Sequence, residues 1–227
     1  MEINDMKICN ETVDVLRNFS TINPSIAFSE GSVLRTISEQ KNILAQATVA
    51  ESFPRDFAVY ELNTLLGFIS LFEDPDIAFN DSHLTIDDVN SRTGNFTYTD
   101  ANMITTPPEK NIDVSSAEVS FVLSEDDYKD VVKAAHQLQL PEIVVAGDGK
   151  QIKLVASDMK NTSSNVFSCI VGNTDANFNM IFRTENLRFM NGEYNVNISS
   201  KGVGYFKNAN CELEYWGATE ADSSYGA

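Results

Sequence analysis

Few side chains in this sequence could take part in catalysis. The two histidines, His83 and His136, have no serine or cysteine beside them in a pattern typical of a nucleophile, and no G-x-S-x-G turn occurs. Asp126 and Asp127 could act as a general acid and base. They fall, however, in the first turn of a helix whose predicted N-cap is Ser124, where carboxylates stabilise the positive end of the helix dipole. We therefore predict no catalytic residue and no cofactor.

Two loops suggest ligand binding at first sight. The run Gly147-Asp148-Gly149-Lys150 resembles a phosphate-binding loop, but the spacing before Gly-Lys and the following hydroxyl residue are missing. Asp-Gly between two apolar runs favours a hairpin turn instead. Residues 87–94 resemble a calcium loop, yet Arg92 occupies a ligand position and Gly94 comes one residue late. We predict no metal site.

Composition limits the class of protein. The net charge is −17, which taken alone argues against nucleic-acid binding, although it says nothing about where the cations lie. No apolar run approaches the ~18 residues of a membrane span, and the first residues lack the pattern of a secretion signal. Cys9, Cys169 and Cys211 are too few and too widely spaced for a disulfide framework or zinc site. They are typical of buried thiols in a reducing cytoplasm.

The cations that stand out lie on predicted helices. Lys129, Lys133 and His136 recur at i, i+4 and i+7, opposite the apolar face of a helix over 125–138. Arg17 lies on the polar side of a helix over 11–22, and Arg183 and Arg188 lie in one over 183–190. A helix over 61–72 offers neutral polar groups. Acidic residues outnumber these cations, so charge alone favours an ordinary solvated surface.

The chain reads as two copies of one pattern. Each half has a helix, several short strands, a second helix and further strands, and equivalent residues such as Leu16 and Val132 are 116 positions apart. Residues 100–116 lack periodicity and contain Pro107-Pro108, which is typical of a connector. We predict an N-terminal domain over 1–104, a connector over 105–117, a C-terminal domain over 118–216 and a loose tail over 217–227.

Several segments resemble the sliding clamp of T-even-type bacteriophages, and the likeness extends in order over nearly the whole chain. The similar segments are 15–23 (VLRNFSTIN), 56–66 (DFAVYELNTLL), 143–156, 177–182 (NFNMIF) and 213–222. The resemblance implies an α+β fold with two similar domains per chain, each with antiparallel sheets outside and two helices on the inner face of a ring. It implies a homotrimer that encircles double-stranded DNA and is not an enzyme.

The resemblance also implies partners and sites. The partners are the replicative DNA polymerase, an ATP-driven clamp loader and late-transcription proteins, in the cytoplasm of an infected bacterium. Arg17, Lys133 and Arg188 match positions of basic channel residues in the family, to which helix geometry adds Lys129, His136 and Arg183.

A pocket for an apolar partner peptide is expected near the connector. Its candidate residues are Val33, Ile104, Pro107, Tyr215 and Trp216. Ordinary packing is the alternative for these residues, above all for Val33 and Tyr215. For the whole protein, the alternative is an acidic β-rich virion component or ligand-binding protein, and a hydrolase is a remote third.

Overall fold

The computed structural model describes residues 5–110, 112–114, 116–161 and 163–226. The chain divides into two compact units, residues 1–109 and residues 110–227. The division falls within the predicted connector. None of the helices in the described residues has the length and apolar character needed to cross a membrane.

Unit 1 is built from short strands around two helices. Its elements in chain order are β1 (Asp5–Met6), α1 (Asn10–Ile22), β2 (Ile26–Phe28), β3 (Gly31–Ile37), β4 (Ile43–Phe53), β5 (Phe57–Val59), α2 (Leu62–Ile69), β6 (Asp76–Phe79), β7 (His83–Asp87) and β8 (Thr93–Thr97), followed by a 3₁₀ turn (Ala101–Met103). The strands β1-β6-β7-β8 form an antiparallel sheet in that order. The strands β3 and β4 form an antiparallel hairpin, and β2 pairs with β5.

Unit 2 follows the same plan. Its elements are β9 (Val119–Leu123), α3 (Glu125–Gln137), β10 (Glu142–Asp148), β11 (Gln151–Ser157), β12 (Phe167–Asn173), β13 (Asn177–Arg183), a 3₁₀ turn (Thr184–Asn186), β14 (Tyr194–Ser199), β15 (Val203–Asn208), β16 (Leu213–Ala218) and β17 (Ser224–Tyr225). The strands pair antiparallel in the orders β9-β14-β15-β16 and β12-β11-β10-β13-β17.

The topology confirms the internal repeat. The sheet β1-β6-β7-β8 of unit 1 has the same strand order, element for element, as β9-β14-β15-β16 of unit 2. In both units a helix follows the first strand, and β2 pairs with β5 as β10 pairs with β13. Sequence analysis missed the first strand of each copy, because β1 has two residues and β9 (VSFVL) lacks strict alternation.

Apolar side chains hold each helix against strands of its own unit. In α1, Leu16 and Phe19 are buried at helical spacing and the helix packs on β4. In α3, Tyr128, Val131 and Ala135 are buried and the helix packs on β10, β11 and β12. The opposite faces of both helices are therefore left for charged and polar residues.

The helix predicted over 183–190 is wrong. Arg183 ends β13, where it pairs with Glu142, and helical structure is limited to the 3₁₀ turn. The backbone N–H of Thr184 donates to Pro141 O at 2.9 Å, and that of Phe189 donates to the Tyr128 hydroxyl at 2.9 Å. The Phe189 N–H, which a helix would use internally, thus bonds to a distant side chain, which a periodicity argument cannot detect.

The tail predicted to be loose over 217–227 is also wrong within its described residues. Strand β16 continues to Ala218, and β17 pairs with β13, where the Tyr225 ring stacks on Phe178 with centroids 6.0 Å apart. The N–H of Glu220 donates to Ile181 O at 2.8 Å. Small polar residues order here because β13 presents backbone groups that need partners.

Candidate nucleic-acid interface

The outward face of α1 carries one cation. Arg17 is exposed, and its Nη1 lies 3.2 Å from Asp14 Oδ1, one turn earlier on the helix. The hydroxyls of Ser20 and Thr21 donate hydrogen bonds to backbone carbonyls three residues earlier in the same helix. With Glu11 and Asp14 opposing Arg17, the helix has no net positive charge. Any contact between Arg17 and phosphate would compete with an existing ion pair.

A buried carboxylate on β4 holds the N-terminus of α1. Glu51 is 9% exposed; its Oε1 accepts from Cys9 N–H at 2.5 Å, and its Oε2 accepts from the Thr12 hydroxyl at 2.5 Å. Burial alone would raise the pKa of Glu51, but these hydrogen bonds outweigh burial and lower it. The N-cap residue Cys9 makes no side-chain cap of its own. Glu51 therefore caps the helix from a strand 39 residues beyond Thr12.

The exposed face of α2 has no charge within the helix. Asn63, Thr64 and Ser70 are exposed there, and the Ser70 hydroxyl donates to Gly67 O at 2.7 Å. The buried side is formed by Leu62, Leu65, Leu66 and Ile69. A neutral polar surface of this kind neither attracts nor repels phosphate.

The outward face of α3 carries the predicted cations. Lys129, Lys133 and His136 are exposed, as helical spacing predicted. Lys129 pairs with Glu125, whereas Lys133 and His136 make no ion pair with any residue that the structure describes. The Ser124 hydroxyl accepts from Asp127 N–H at 3.1 Å, so the predicted N-cap is confirmed.

Charge on α3 is separated along the helix. Glu125, Asp126, Asp127 and Asp130 lie in its N-terminal half, and Lys133 and His136 lie in its C-terminal half. This order complements the helix dipole. It also leaves the C-terminal half as the part of α3 able to attract a polyanion, although the helix as a whole is acidic.

Arg188 lies on a segment held against α3. The Tyr128 hydroxyl donates to Leu187 O at 2.9 Å and accepts from Phe189 N–H, on either side of Arg188. The arginine is exposed and its Nε donates to Glu185 O at 2.6 Å. Arg188 therefore lies beside α3, the helix that carries Lys133.

Arg183 does not belong with these cations. Its neighbour Phe182 is buried with Tyr128 and Val131 on the side of the sheet covered by α3. Successive residues of a strand point to opposite faces, so Arg183 lies on the other face, where its Nε is 3.1 Å from Glu220 Oε2. The expected grouping failed because the helix predicted around Arg183 does not form.

Comparison with known proteins identifies the family to which these surfaces belong. Residues 10–106 match a family model described as a DNA polymerase processivity factor, and residues 120–221 match the C-terminal part of the gp45 sliding clamp. A sliding clamp of Vibrio phage KVP40 is 31% identical over 222 residues, with 95% of this chain and 100% of that protein covered. The chain belongs to the sliding-clamp family. Its function as a DNA sliding clamp and polymerase processivity factor follows from this membership.

Two further comparisons agree. The sliding clamp of Enterobacteria phage T4 is 26% identical, with 97% of this chain and 99% of that protein covered. The proliferating cell nuclear antigen of Thermococcus kodakaraensis has a TM-score of 0.69 at 13% identity, covering 95% of this chain and 98% of that chain, which shows a shared fold.

Each unit of the clamp has an edge strand with apolar side chains beside it. Strand β8 ends the sheet of unit 1, and Phe96 on it lies 6.2 Å, centroid to centroid, from Phe68 of α2. Strand β12 ends the longer sheet of unit 2, with Ile170 56% exposed and Val166 just before it 61% exposed. Open edges beside apolar side chains promote pairing with another chain.

Three of the five residues expected to line a peptide pocket near the connector are buried. Tyr215 is fully buried and its hydroxyl accepts from Met190 N–H, while Trp216 and Ile104 are 4% and 9% exposed. They fill the interior because their strands and turn place them there. Val33, at 42% exposure, and the half-buried Pro107 are accessible.

The loops that suggested ligands serve the fold of the clamp. Residues 148–150 turn the β10–β11 hairpin, as predicted, and the hydrogen bond from Lys153 to Asp148 lowers the pKa of that carboxyl to about 2. Asp88 accepts from the N–H groups of Asn90 and Arg92. No group of possible metal ligands occurs among the described residues.

The cysteines are less buried than predicted. Cys9 and Cys169 are half-buried and Cys211 is exposed. Burial raises the pKa of Cys169 to about 11, with nearby Asp127 and Asp130 adding to the effect, so its thiol stays protonated and unreactive at neutral pH.

Proposed function

We propose that three copies of this clamp close head to tail into a ring that encircles double-stranded DNA. A ring that encloses its ligand needs no tight grip, because topology supplies the residence time. Weak phosphate contacts from Lys133, His136 and Arg188 then hold the duplex without reading its sequence, and permit sliding. The ring itself is non-catalytic and tethers the replicative polymerase inside the infected host cell.

The edges at β8 and β12, one in each unit, are the observation that carries the ring. The edge at β8 belongs to unit 1 and the edge at β12 belongs to unit 2, so joining them between copies pairs unlike surfaces. Unlike surfaces give a head-to-tail contact, which closes into a ring when the rotation per copy divides a full turn. Each contact would remove two edges and cover Val166, Ile170 and the aromatic side chains beside β8.

The proposal also includes further protein partners of the ring. An ATP-driven clamp loader opens the ring, and late-transcription proteins use it as the polymerase does. The acidic surface disfavours DNA binding outside the ring, since the net charge of each chain is −17.

A charge placed on the β12 edge tests the ring. Ile170→Asp puts a carboxylate on the proposed joint, and we expect sedimentation at micromolar concentration to change from trimer to monomer. Loader-dependent retention on nicked circular DNA should be lost with it. Val122→Asp is the matched control, because Val122 is 52% exposed on β9, an edge strand of the other sheet in unit 2.

Two results would contradict this proposal. A wild-type chain that sediments as a monomer and is not retained on circular DNA would overturn the ring. A trimer that survives Ile170→Asp but dissociates with Val122→Asp would show that the copies join at β9 and not at β12.

A further inference from the structure

An arginine of β3 bonds to the segment that leads out of unit 1. Arg35 Nη1 donates to Pro108 O at 2.8 Å and lies 3.5 Å from Glu109 O. All three residues belong to unit 1, and Arg35 is half-buried. A guanidinium therefore bonds to the backbone of the first part of the connector, residues 105–109.

The same segment is also held at its beginning. Ile104 is 9% exposed, and its N–H donates to Ala101 O at 3.1 Å in the 3₁₀ turn. Three residues lie between Ile104 and the carbonyl partners of Arg35, and one of them, Pro107, is stiff and lacks an N–H donor. A stiff stretch fixed at both ends has little freedom to leave the strand beside it.

Val33 lies on the same face of β3 as Arg35. Residues two apart on a strand face the same way, so Val33 and Arg35 lie on one face of β3, while Leu34 between them is buried on the face toward α1. The connector thus crosses the face on which Val33 remains exposed. Val33 and Pro107 are the two accessible residues among those expected to receive a partner peptide.

We propose that Arg35 is a positioning residue that latches residues 105–109 of the connector to the face of β3 that carries Val33. The latch keeps Val33 and Pro107 in one arrangement for the replicative polymerase. An ordered docking surface binds more tightly than a mobile one, because less conformational freedom is lost on binding. The consequence for partners rests on the proposed function, whereas the latch itself does not.

Local proteolysis tests the latch directly. A protease that cuts after glutamate must draw the chain around Glu109 into its active site, so cleavage there reports release of residues 105–109. Arg35→Ala should accelerate cleavage after Glu109 about tenfold, as loss of a charge-assisted hydrogen bond predicts. Arg35→Lys should restore part of the protection, because an ammonium can donate to one of the two carbonyls.

A matched variant separates the latch from general damage to the hairpin. Gln46 is the cross-strand partner of Arg35 and is also half-buried. Gln46→Ala should leave cleavage after Glu109 unchanged, and the melting temperatures of all variants should show whether they fold. Unchanged cleavage in Arg35→Ala, or equal acceleration in Gln46→Ala, would overturn the latch.

Binding to the replicative polymerase encoded by the same virus tests the consequence. Affinity measured with immobilised polymerase should fall severalfold in Arg35→Ala and recover partly in Arg35→Lys, with the trimer intact by sedimentation. If proteolysis shows the latch but wild-type clamp does not bind the polymerase, the proposed function fails and the latch stands. If the polymerase binds all variants equally, the latch has no part in docking.

Discussion

The helices α1 and α3 occupy equivalent places in the repeat but are capped in different ways. The Ser124 side chain caps α3 from the adjacent position in the sequence. The N-terminus of α1 instead relies on Glu51, which reaches it from β4. A local cap forms with the helix, whereas a remote cap forms only after the strand has docked. Both copies of the repeat contain this helix, but different side chains stabilise its N-terminus.

The largest expected effect is loss of the remote cap. Glu51→Ala should lower the free energy of unfolding by about 3 kcal/mol, because Cys9 N–H and the Thr12 hydroxyl lose a charged acceptor in a buried place. Denaturant unfolding monitored by circular dichroism measures the change. Glu51→Gln is the control, since it keeps an acceptor oxygen and should cost less. Equal stability of wild type and Glu51→Ala would contradict the cap.

Removing the local cap should cost less. Ser124→Ala is expected to lower the free energy of unfolding by about 1 kcal/mol, the usual cost of losing an N-cap hydroxyl at a partly exposed helix end. The same denaturant titration compares it with Glu51→Ala. A larger loss for Ser124→Ala than for Glu51→Ala would reverse the comparison between the two helices.

The two caps show which features can be predicted from the sequence and which cannot. The Ser124 cap and the face of Lys129, Lys133 and His136 depend on residues within two turns of each other, so periodicity and capping patterns were enough. The Glu51 cap joins residues 42 positions apart at Cys9. Alternation along β4 places Glu51 on the buried face with Ala47 and Phe53, but it does not say which groups the carboxylate meets there. Only knowledge of which strand lies beside α1 could have identified it.

The errors have the same origin. Arg183 was assigned to a helix from local pattern, but the register of β13 with β10 and the bonds of Thr184 decide its position. The tail was expected to be loose because it is small and polar, and it is ordered by the open edge of β13. The repeat itself was predictable, since both copies preserve the order of strands and the first helix. Tertiary partners, which a local pattern does not contain, account for the rest.

The remote cap should also make stability depend on pH. The pKa of Glu51 is lower in the folded chain than its ordinary value of 4.5, so its contribution is fully present above that value and is lost as pH falls through the folded pKa. The difference in unfolding free energy between wild type and Glu51→Gln should therefore shrink as pH is lowered below 4.5. The Ser124 hydroxyl does not titrate in this range. A difference that stays constant with pH would show that folding does not shift the pKa of Glu51, and would contradict a cap that depends on its charge.

The smallest expected effect concerns the outward faces of the same two helices. Lys133 makes no ion pair with the described residues, whereas Arg17 is paired with Asp14. Exposed charge contacts are worth up to about 1 kcal/mol, a factor of about 5, and an existing partner reduces that further. Processive synthesis in moderate salt should therefore fall about threefold with Lys133→Glu, further with Arg188→Glu added, and less than twofold with Arg17→Glu.

The salt dependence sharpens this last comparison. Each phosphate contact that is lost should reduce the slope of log binding against log salt by about 0.9. Asp130→Asn is the opposite control, since it removes an exposed acid from the face of α3 that carries Lys133 and should increase run length. All variants must remain trimers by sedimentation. Equal losses for Arg17→Glu and Lys133→Glu would mean that the ion pair with Asp14 opens at no cost when DNA is present, and that the two helices contact the duplex alike.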